Sequence, residues 1–321
     1  MMHAISTKCR RAVSIDLGGS HATVAVVEDR RILASRAFAI DSTGGLAPWL
    51  PVFKKITFEL LEQAGVSVGD CCGYVLSFCG MVDSKTGRVV STNGKYEDAP
   101  GIDLPAWCMA EFGLRFAMDN DARVALLGEW YAGAAQGAMD VVMITLGTGI
   151  GGAVLAGGKP YRTRQVQGGC IGGHLPALFS GRKCSCPAYG CVEAEASEWA
   201  LPTIAREWPD FASSRLAELE KLTFRSLFEL ALEGDRVSLE IRNRCLHVWA
   251  CGTVGLIHAY GPERVIFGGG VMKSGEVILP YIRDYVEKYS WTPSGSVSIL
   301  PAALGNNAAL LGAIPLLSGL D

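Results

Sequence analysis

The chain is short of charge and of aromatic rings: charged residues make up 19% of its 321 positions, and Phe, Trp and Tyr together 8%. Neither sign dominates, with 29 basic and 32 acidic residues and a formal net charge of −3. No overall basic field is on offer to a nucleic acid or an anionic membrane surface, which excludes the function classes that depend on one. Long apolar runs are lacking too. Residues 141–158 and 299–320 carry no charge, but glycines break the first, and Pro301, Asn306, Asn307 and Pro315 break the second. Neither supplies the ~20 continuous apolar residues of a membrane helix. Behind Lys8, Arg10 and Arg11, the stretch from Ala12 to Ile15 stops at Asp16, too short for a secretory signal. The expectation is a soluble, cytoplasmic protein. Walker A and a Gly-x-Gly-x-x-Gly leading into a helix are also missing, which argues against P-loop and Rossmann sites.

Glycine and apolar side chains are abundant, at 39 residues and 49%. That composition fills large cores and excludes a disordered chain. At ~100–200 residues per domain, the length suggests two domains. The 11 cysteines are odd in number, so they cannot all pair within the chain. Only Cys184, Cys186 and Cys191 cluster tightly. In a reducing compartment that pattern speaks for a metal rather than a disulfide. With His174 upstream, three sulfurs and one imidazole make a closed tetrahedral zinc set, structural because no position remains for water.

The glycines gather in turns. Residues 12–15 and 22–27 are β-prone and flank Asp16-Leu17-Gly18-Gly19-Ser20; the pattern returns at residues 141–154 around Gly147-Thr148-Gly149. Ile15 to Gly18 overlays Ile144 to Gly147. This reads as a duplicated α/β domain, although two unrelated hairpins would look the same. Further strands are expected at 31–39, 73–79, 115–118, 264–267 and 296–300. Helices are expected at 47–64, 121–132, 194–207, 214–233, 236–260 and 276–289, with a last one to Leu317 capped by Asn306 or Asn307. Glycine turns let backbone N–H groups approach an anion because no Cβ intervenes. Asp16 adds a carboxylate suited to Mg²⁺, Thr148 a hydroxyl, and Gly268-Gly269-Gly270 a third turn at a strand end. Asp121, in Asn120-Asp121-Ala122, would start a helix and could serve as a general base for a hydroxyl, or simply belong to a helix cap.

Together these motifs resemble the ROK family (repressors, open reading frames and sugar kinases). Asp16-Leu-Gly-Gly-Ser20 resembles its first phosphate motif and Leu146-Gly-Thr-Gly-Ile-Gly-Gly152 its second. Asn120-Asp121-Ala122 resembles the segment holding its catalytic base. Cys184-x-Cys186-(x)4-Cys191-x-Glu193 resembles its zinc motif, and Phe267-Gly-Gly-Gly270 its adenosine-side motif. The resemblance implies an α/β, duplicated actin-like (ribonuclease-H-like) fold with two lobes and a central cleft. The first lobe, residues 1–122, would be the sugar side, with a C-terminal helix of about 304–318 packed back on it. The second, residues 123–303, would carry the zinc loop and the nucleotide elements.

The resemblance also implies ATP-dependent phosphorylation of a hexose, usually at the 6-hydroxyl, by a homodimer with no nucleic-acid or membrane partner. Asp121 would take the proton. Gly80, Asn93, Asn120, His174 and Glu193 would contact the sugar, His174 also binding zinc. Asp16, Gly18, Gly19, Ser20, Gly147, Thr148, Gly149, Gly268, Gly269 and Gly270 would hold Mg-ATP. Several features depart from the family pattern. The usual Gly-Glu-Ile-Gly-His is replaced by Gly168-Gly169-Cys170-Ile171-Gly172-Gly173-His174, without a carboxylate. Pro187 follows Cys186 where glycine is usual, Cys79 stands for proline before Gly80, and Lys95-Tyr96 replaces a Pro-Gly-Trp stretch. Loss of a hydrogen-bonding acid should weaken binding of free glucose or N-acetylhexosamines. The alternatives are a catalytically weak or inactive sugar-binding protein and a repressor. The repressor would need ~60–80 residues of helix-turn-helix ahead of the first strand, which here begins near Ala12.

Overall fold

A computed structural model describes residues 10–319. Their contacts form two units. The first comprises the chain up to Gly137, Arg162–Gly168 and the C-terminal segment from Ala303; the second comprises Ala138–Tyr161 and Gly169–Ala302. The division after Gly137 corrects the boundary expected after Ala122, which would have cut a helix in its first turn.

In the first unit, β1 (Arg11–Leu17), β2 (His21–Glu28) and β3 (Arg31–Ala39) form an antiparallel meander. α1 (Leu50–Ala64) follows, burying Phe53, Ile56, Thr57, Leu60 and Leu61 at helical spacing. It ends at Gly65, whose φ of 64° is the left-handed cap that favours glycine. Next come β4 (Tyr74–Phe78), the hairpin β5 (Met81–Asp83) and β6 (Arg88–Ser91), α2 (Leu104–Phe112), β7 (Phe116–Asn120) and α3 (Asp121–Ala132). Strands β4 and β7 run parallel to β1, giving the order β3-β2-β1-β4-β7.

The second unit repeats this plan. β8 (Val141–Leu146), β9 (Ile150–Ala156) and β10 (Lys159–Pro160) form the meander. The helices α4 (Val192–Ala196), α5 (Leu201–Arg206), α6 (Phe224–Leu232) and α7 (Arg236–Tyr260) precede β11 (Arg264–Gly268), α8 (Gly275–Tyr289) and β12 (Ser298–Pro301). Strand β11 is parallel to β8 and β12, and the order is β10-β9-β8-β11-β12. Identical order and directions make this a duplication rather than two unrelated hairpins. Leu17 and Leu146, overlaid by the repeat, each end the first strand of their sheet.

Local chemistry corrects several expectations. The stretch 194–207 is two short helices, and 214–233 is interrupted, its regular part beginning only at the Thr223 cap. The hairpin β5–β6 and α2 were not foreseen. Neither Asn306 nor Asn307 caps the last helices, α9 (Ala308–Leu311) and α10 (Ala313–Ser318), with its side chain; a tight turn over Gly305–Asn307 feeds α9 directly. This C-terminal segment packs on β1 and α3. It is tied there by the buried Glu129 carboxylate, which accepts the N–H groups of Ala303 (3.0 Å) and Leu304 (2.8 Å).

The helices α3 and α9 meet backbone to backbone. A Cβ on Gly128 would lie 1.9 Å from the Ala308 carbonyl oxygen, and one on Gly312 would lie 2.1 Å from that of Val124. No rotamer relieves a clash with backbone. Gly128→Ala should therefore force the two helices apart and cost ~1–3 kcal/mol. A thermal melt should show a Tm several degrees lower; an unchanged Tm would contradict the close approach.

Candidate active site and metal centre

The parallel register of the first sheet places Asp16, Ser77 and Asp119 in one row, one residue short of the carboxyl ends of β1 and β4. Ligands of open α/β sheets bind outside these ends. Ser77 Oγ donates to Asp16 Oδ1 at 2.9 Å. Burial pushes the Asp16 carboxyl up to about 6, against the Ser77 hydrogen bond and with help from the Asp121 charge. Asp121 opens α3. Burial raises its pKa as well, opposed by the Ala122 N–H, the charge of Lys95 and the Asn120 hydrogen bond. Asn120 is the N-cap: its Oδ1 accepts from Ala122 N at 3.1 Å and its Nδ2 donates to the Gly80 carbonyl at 3.1 Å. With the other N–H turned to the Asp121 carboxylate, one lone pair of that amide oxygen remains for a ligand. Gly80 is obligatory for packing, because a Cβ there would meet Phe78 at 2.7 Å and the Ser91 carbonyl at 2.9 Å. Asn93 and Ser20 are exposed.

The raised Asp16 pKa has a consequence for stability. Between about 3.8 and about 6 the folded state holds the proton that the unfolded chain has released, so stability falls as pH rises through this window. The cost is complete above pH 6. Without nucleotide or divalent cation, Asp16→Asn should melt a few degrees above the parent at pH 7.5, with the gap closing toward pH 4. A variant that melts lower at pH 7.5 would contradict this.

In the second unit, two glycine turns sit at the ends of adjacent parallel strands. Gly268 pairs with Thr145, and a Cβ on Gly269 (φ 91°) would lie 2.2 Å from the Leu146 carbonyl oxygen. Gly270 has open space around it. The Gly147–Gly149 turn closes on itself, Gly147 N donating to Gly149 O at 3.0 Å. The Gly147 and Thr148 carbonyls accept from Glu198 N (3.2 Å) and Trp199 N (3.0 Å). Glu193 braces the same turn. Its Oε2 accepts from Ile150 N at 2.8 Å and would be 2.8 Å from a Cβ on Gly149. Its Oε1 accepts from Ser185 Oγ at 3.2 Å and Trp199 Nε1 at 3.4 Å. The spacing of the cysteine motif did not reveal this bracing role.

His174, Cys184, Cys186 and Cys191 converge, with one ligand atom from each lying within 4.8 Å of all the others. Cys184 Sγ is 3.4 Å from His174 Nδ1, and Cys186 Sγ is 3.6 Å from Cys191 Sγ. Tetrahedral zinc, with bonds of ~2.3 Å to sulfur and ~2.0–2.1 Å to nitrogen, requires edges of about 3.6–3.8 Å. The Cys186–Cys191 separation meets that requirement, the Cys184–His174 one is slightly shorter, and the donor set is the soft one zinc prefers. The loop is also held by the bridges Pro176–Cys191 and Lys183–Tyr189, by backbone bonds such as Cys184 N to Ala188 O (2.9 Å) and Gly190 N to Arg182 O (2.8 Å), and by Arg182 on the buried Glu195. Nearby, the departures fall at a crowded point. Cys170 is buried, and a Cβ on Gly173 would lie 2.0 Å from the Ile150 carbonyl oxygen.

Two features of the first unit escaped the sequence reading. Asp119 is fully buried between Arg123 Nη1 (3.3 Å) and Arg162 Nε (3.1 Å), and its Oδ1 also accepts from Asn120 N at 2.8 Å. Arg123 reaches on to the Gly168 carbonyl. These bonds bring Arg162–Gly168 into the first unit, next to the Asn120–Asp121 turn. The second feature is Tyr96, whose Oη donates to the Gly18 carbonyl at 2.6 Å.

The ROK family model matches residues 12–319. A glucokinase of Thermotoga maritima is 33% identical over 312 residues, covering 94% of this chain and 96% of that protein. A xylose repressor of Bacillus subtilis is 27% identical over 73% of this chain and 57% of its own length. Among solved structures, a ROK hexokinase from Thermus thermophilus superposes with a TM-score of 0.78 at 28% identity, covering 96% of this chain and 97% of that one. A ROK family glucokinase from Streptomyces griseus, in complex with glucose and AMPPNP, gives 0.74 at 28% identity, covering 95% and 98%. The chain belongs to the ROK family.

Proposed function

We propose that this chain is an ATP-dependent hexose kinase that transfers the γ-phosphoryl group to the 6-hydroxyl of the sugar, with Asp121 as general base. The observation that carries the reading is a pair of buried carboxylates at the strand ends of the first sheet: Asp16 near the end of β1 for the cation, and Asp121, which opens α3 straight after β7 and whose charge is felt at Asp16, as the proton acceptor. Kinase relatives covering nearly the whole chain support the same reaction. Phosphoryl transfer asks for positioning, charge neutralisation and one proton acceptor. A raised carboxyl pKa makes Asp121 a stronger base than an exposed aspartate.

Asp16 fits the cation that accompanies ATP, since a buried carboxylate pushed up to about 6 is stabilised as soon as positive charge arrives. Mg²⁺ held there would screen the charge of the phosphates. Asn120, Gly80, Asn93, His174 and Glu193 are assigned to the sugar. Gly18, Gly19, Ser20, Gly147, Thr148, Gly149 and Gly268 to Gly270 are assigned to the nucleotide. The Cys3His cluster holds a structural zinc ion, and the functional particle is a homodimer. Glucose is the first sugar to test, given the names of the relatives. The missing acid near Cys170, with Pro187, Lys95-Tyr96 and Cys79, all departures on the sugar side, favours a shifted substrate.

The 6-hydroxyl assignment is tested by comparing glucose with 6-deoxyglucose, following product by phosphorus NMR. Phosphoryl transfer to glucose alone is the expected result. A phosphorylated 6-deoxyglucose would contradict the regiochemistry.

A further inference from the structure

Lys95 occupies a place that none of the assigned roles explains. Its stem crosses the first glycine turn: a Cβ on Gly19 would lie 2.7 Å from Lys95 Cε and 2.9 Å from Nζ. Gly19 thus leaves room for the lysine stem to cross the turn. The next residue holds this crossing in place. Tyr96 adopts φ 53°, a left-handed conformation costly for an aromatic residue, and its ring is fully buried near Phe78, with 5.9 Å between ring centroids. Its hydroxyl bonds the Gly18 carbonyl, and its N–H donates to the Ser42 carbonyl at 2.8 Å. Backbone strain is retained here only because the surroundings over-determine it. Its effect is to lay Lys95 over Gly19.

Lys95 is half-buried, and among the described residues no carboxylate forms an ion pair with it. Its charge is nonetheless felt at Asp121 and at Cys79. A cation that touches the phosphate turn, lies within electrostatic reach of the base and lacks an acidic partner stands where negative charge builds during the reaction.

We propose that Lys95 is a further catalytic residue, whose ammonium contacts the transferring phosphoryl group. The inference rests on the hexose kinase reading above. As the hexose oxygen bonds to the γ-phosphorus, its proton passes to Asp121. The bond from that phosphorus to the β–γ bridging oxygen breaks, and its electron pair leaves with ADP. Lys95 neutralises charge on the non-bridging oxygens in flight, which are most exposed to it between the glycine turn and the base. Lysine suits this task as a compact point charge on a flexible stem.

The test compares the parent with Lys95→Met, Lys95→Gln and Lys95→Arg under Mg-ATP and the preferred hexose. Binding of ADP alone, and of ADP with aluminium fluoride and hexose as a mimic of the transfer state, is measured alongside. Lys95→Met is expected to lose ~10²–10³ in kcat, with hexose KM and ADP affinity within about threefold of the parent. Affinity for the aluminium fluoride complex should fall in parallel with kcat, and Lys95→Arg should recover at least about tenfold of it. A purely structural role would move Tm and all affinities together. Lys95→Gln keeps the stem across Gly19 and serves if the methionine variant fails to fold. A kcat within about threefold of the parent would overturn the proposal. So would a raised hexose KM at constant kcat, which would make Lys95 a selector of anionic sugars. A parent that releases no ADP with any hexose would overturn the kinase reading and this proposal together; an active parent with indifferent Lys95 variants overturns this proposal alone.

Discussion

Asp121→Asn is expected to lower kcat by ~10³ or more while ATP and hexose still bind with affinities close to those of the parent. The substitution keeps the size of the side chain and an oxygen that can accept the Ala122 N–H bond, which spans 2.8 Å in the parent. The helix start survives, because Asn120 is the residue that caps it. What disappears is a buried carboxylate with a raised pKa, the one group at this turn able to take a proton from the sugar. Because the loss lies in the chemical step, kcat and kcat/KM should fall together. Calorimetric titration with ATP and with the sugar separates this from a binding defect. Activity within tenfold of the parent would remove Asp121 from the role of base.

The second large effect concerns the Cys3His loop. The purified parent should contain close to one zinc per chain by mass spectrometry. Cys186→Ser should lose most of that metal and melt ~5–15 °C lower, because metal-binding free energy is here folding free energy. Kinetic effects should reach further than the loop. Glu193 lies two residues after Cys191 and bonds Ile150 N at the second glycine turn. Releasing the loop frees that brace, so KM should rise for ATP as well as for the sugar. His174, shared by the zinc set and the sugar assignment, adds to the loss on the sugar side. Retention of full zinc by Cys186→Ser would show that the ligand set is wrong.

The glycine turns could be read from the chain because each follows a run of buried β-branched residues and ends its strand, as at Leu17 and Leu146. The zinc ligands were readable for a similar reason: three of the four lie within eight positions and the fold brings His174 to them. Non-local contacts were not readable. Arg162 and Asp119 are 43 residues apart, and their buried pairing carries Arg162–Gly168 into the first unit. No periodicity announces such a pairing. The boundary expected after Ala122 failed because α3 continues to Ala132, its last turns locked to α9 across Gly128. The helix α2 was missed because its sequence, LPAWCMAEF, is apolar on nearly every side and shows no helical stripe. Lys95 stood out in the sequence only as a departure. Its contact with Gly19 depends on the unusual backbone at Tyr96, which no sequence pattern reports.

The most direct test of the central claim is a coupled assay of ADP release from Mg-ATP against a panel of hexoses, run on the zinc-loaded parent and on Asp121→Asn. The account predicts release that depends on one sugar, matches the sugar consumed and vanishes in the variant. A folded, zinc-loaded parent that releases no ADP with any hexose would contradict it.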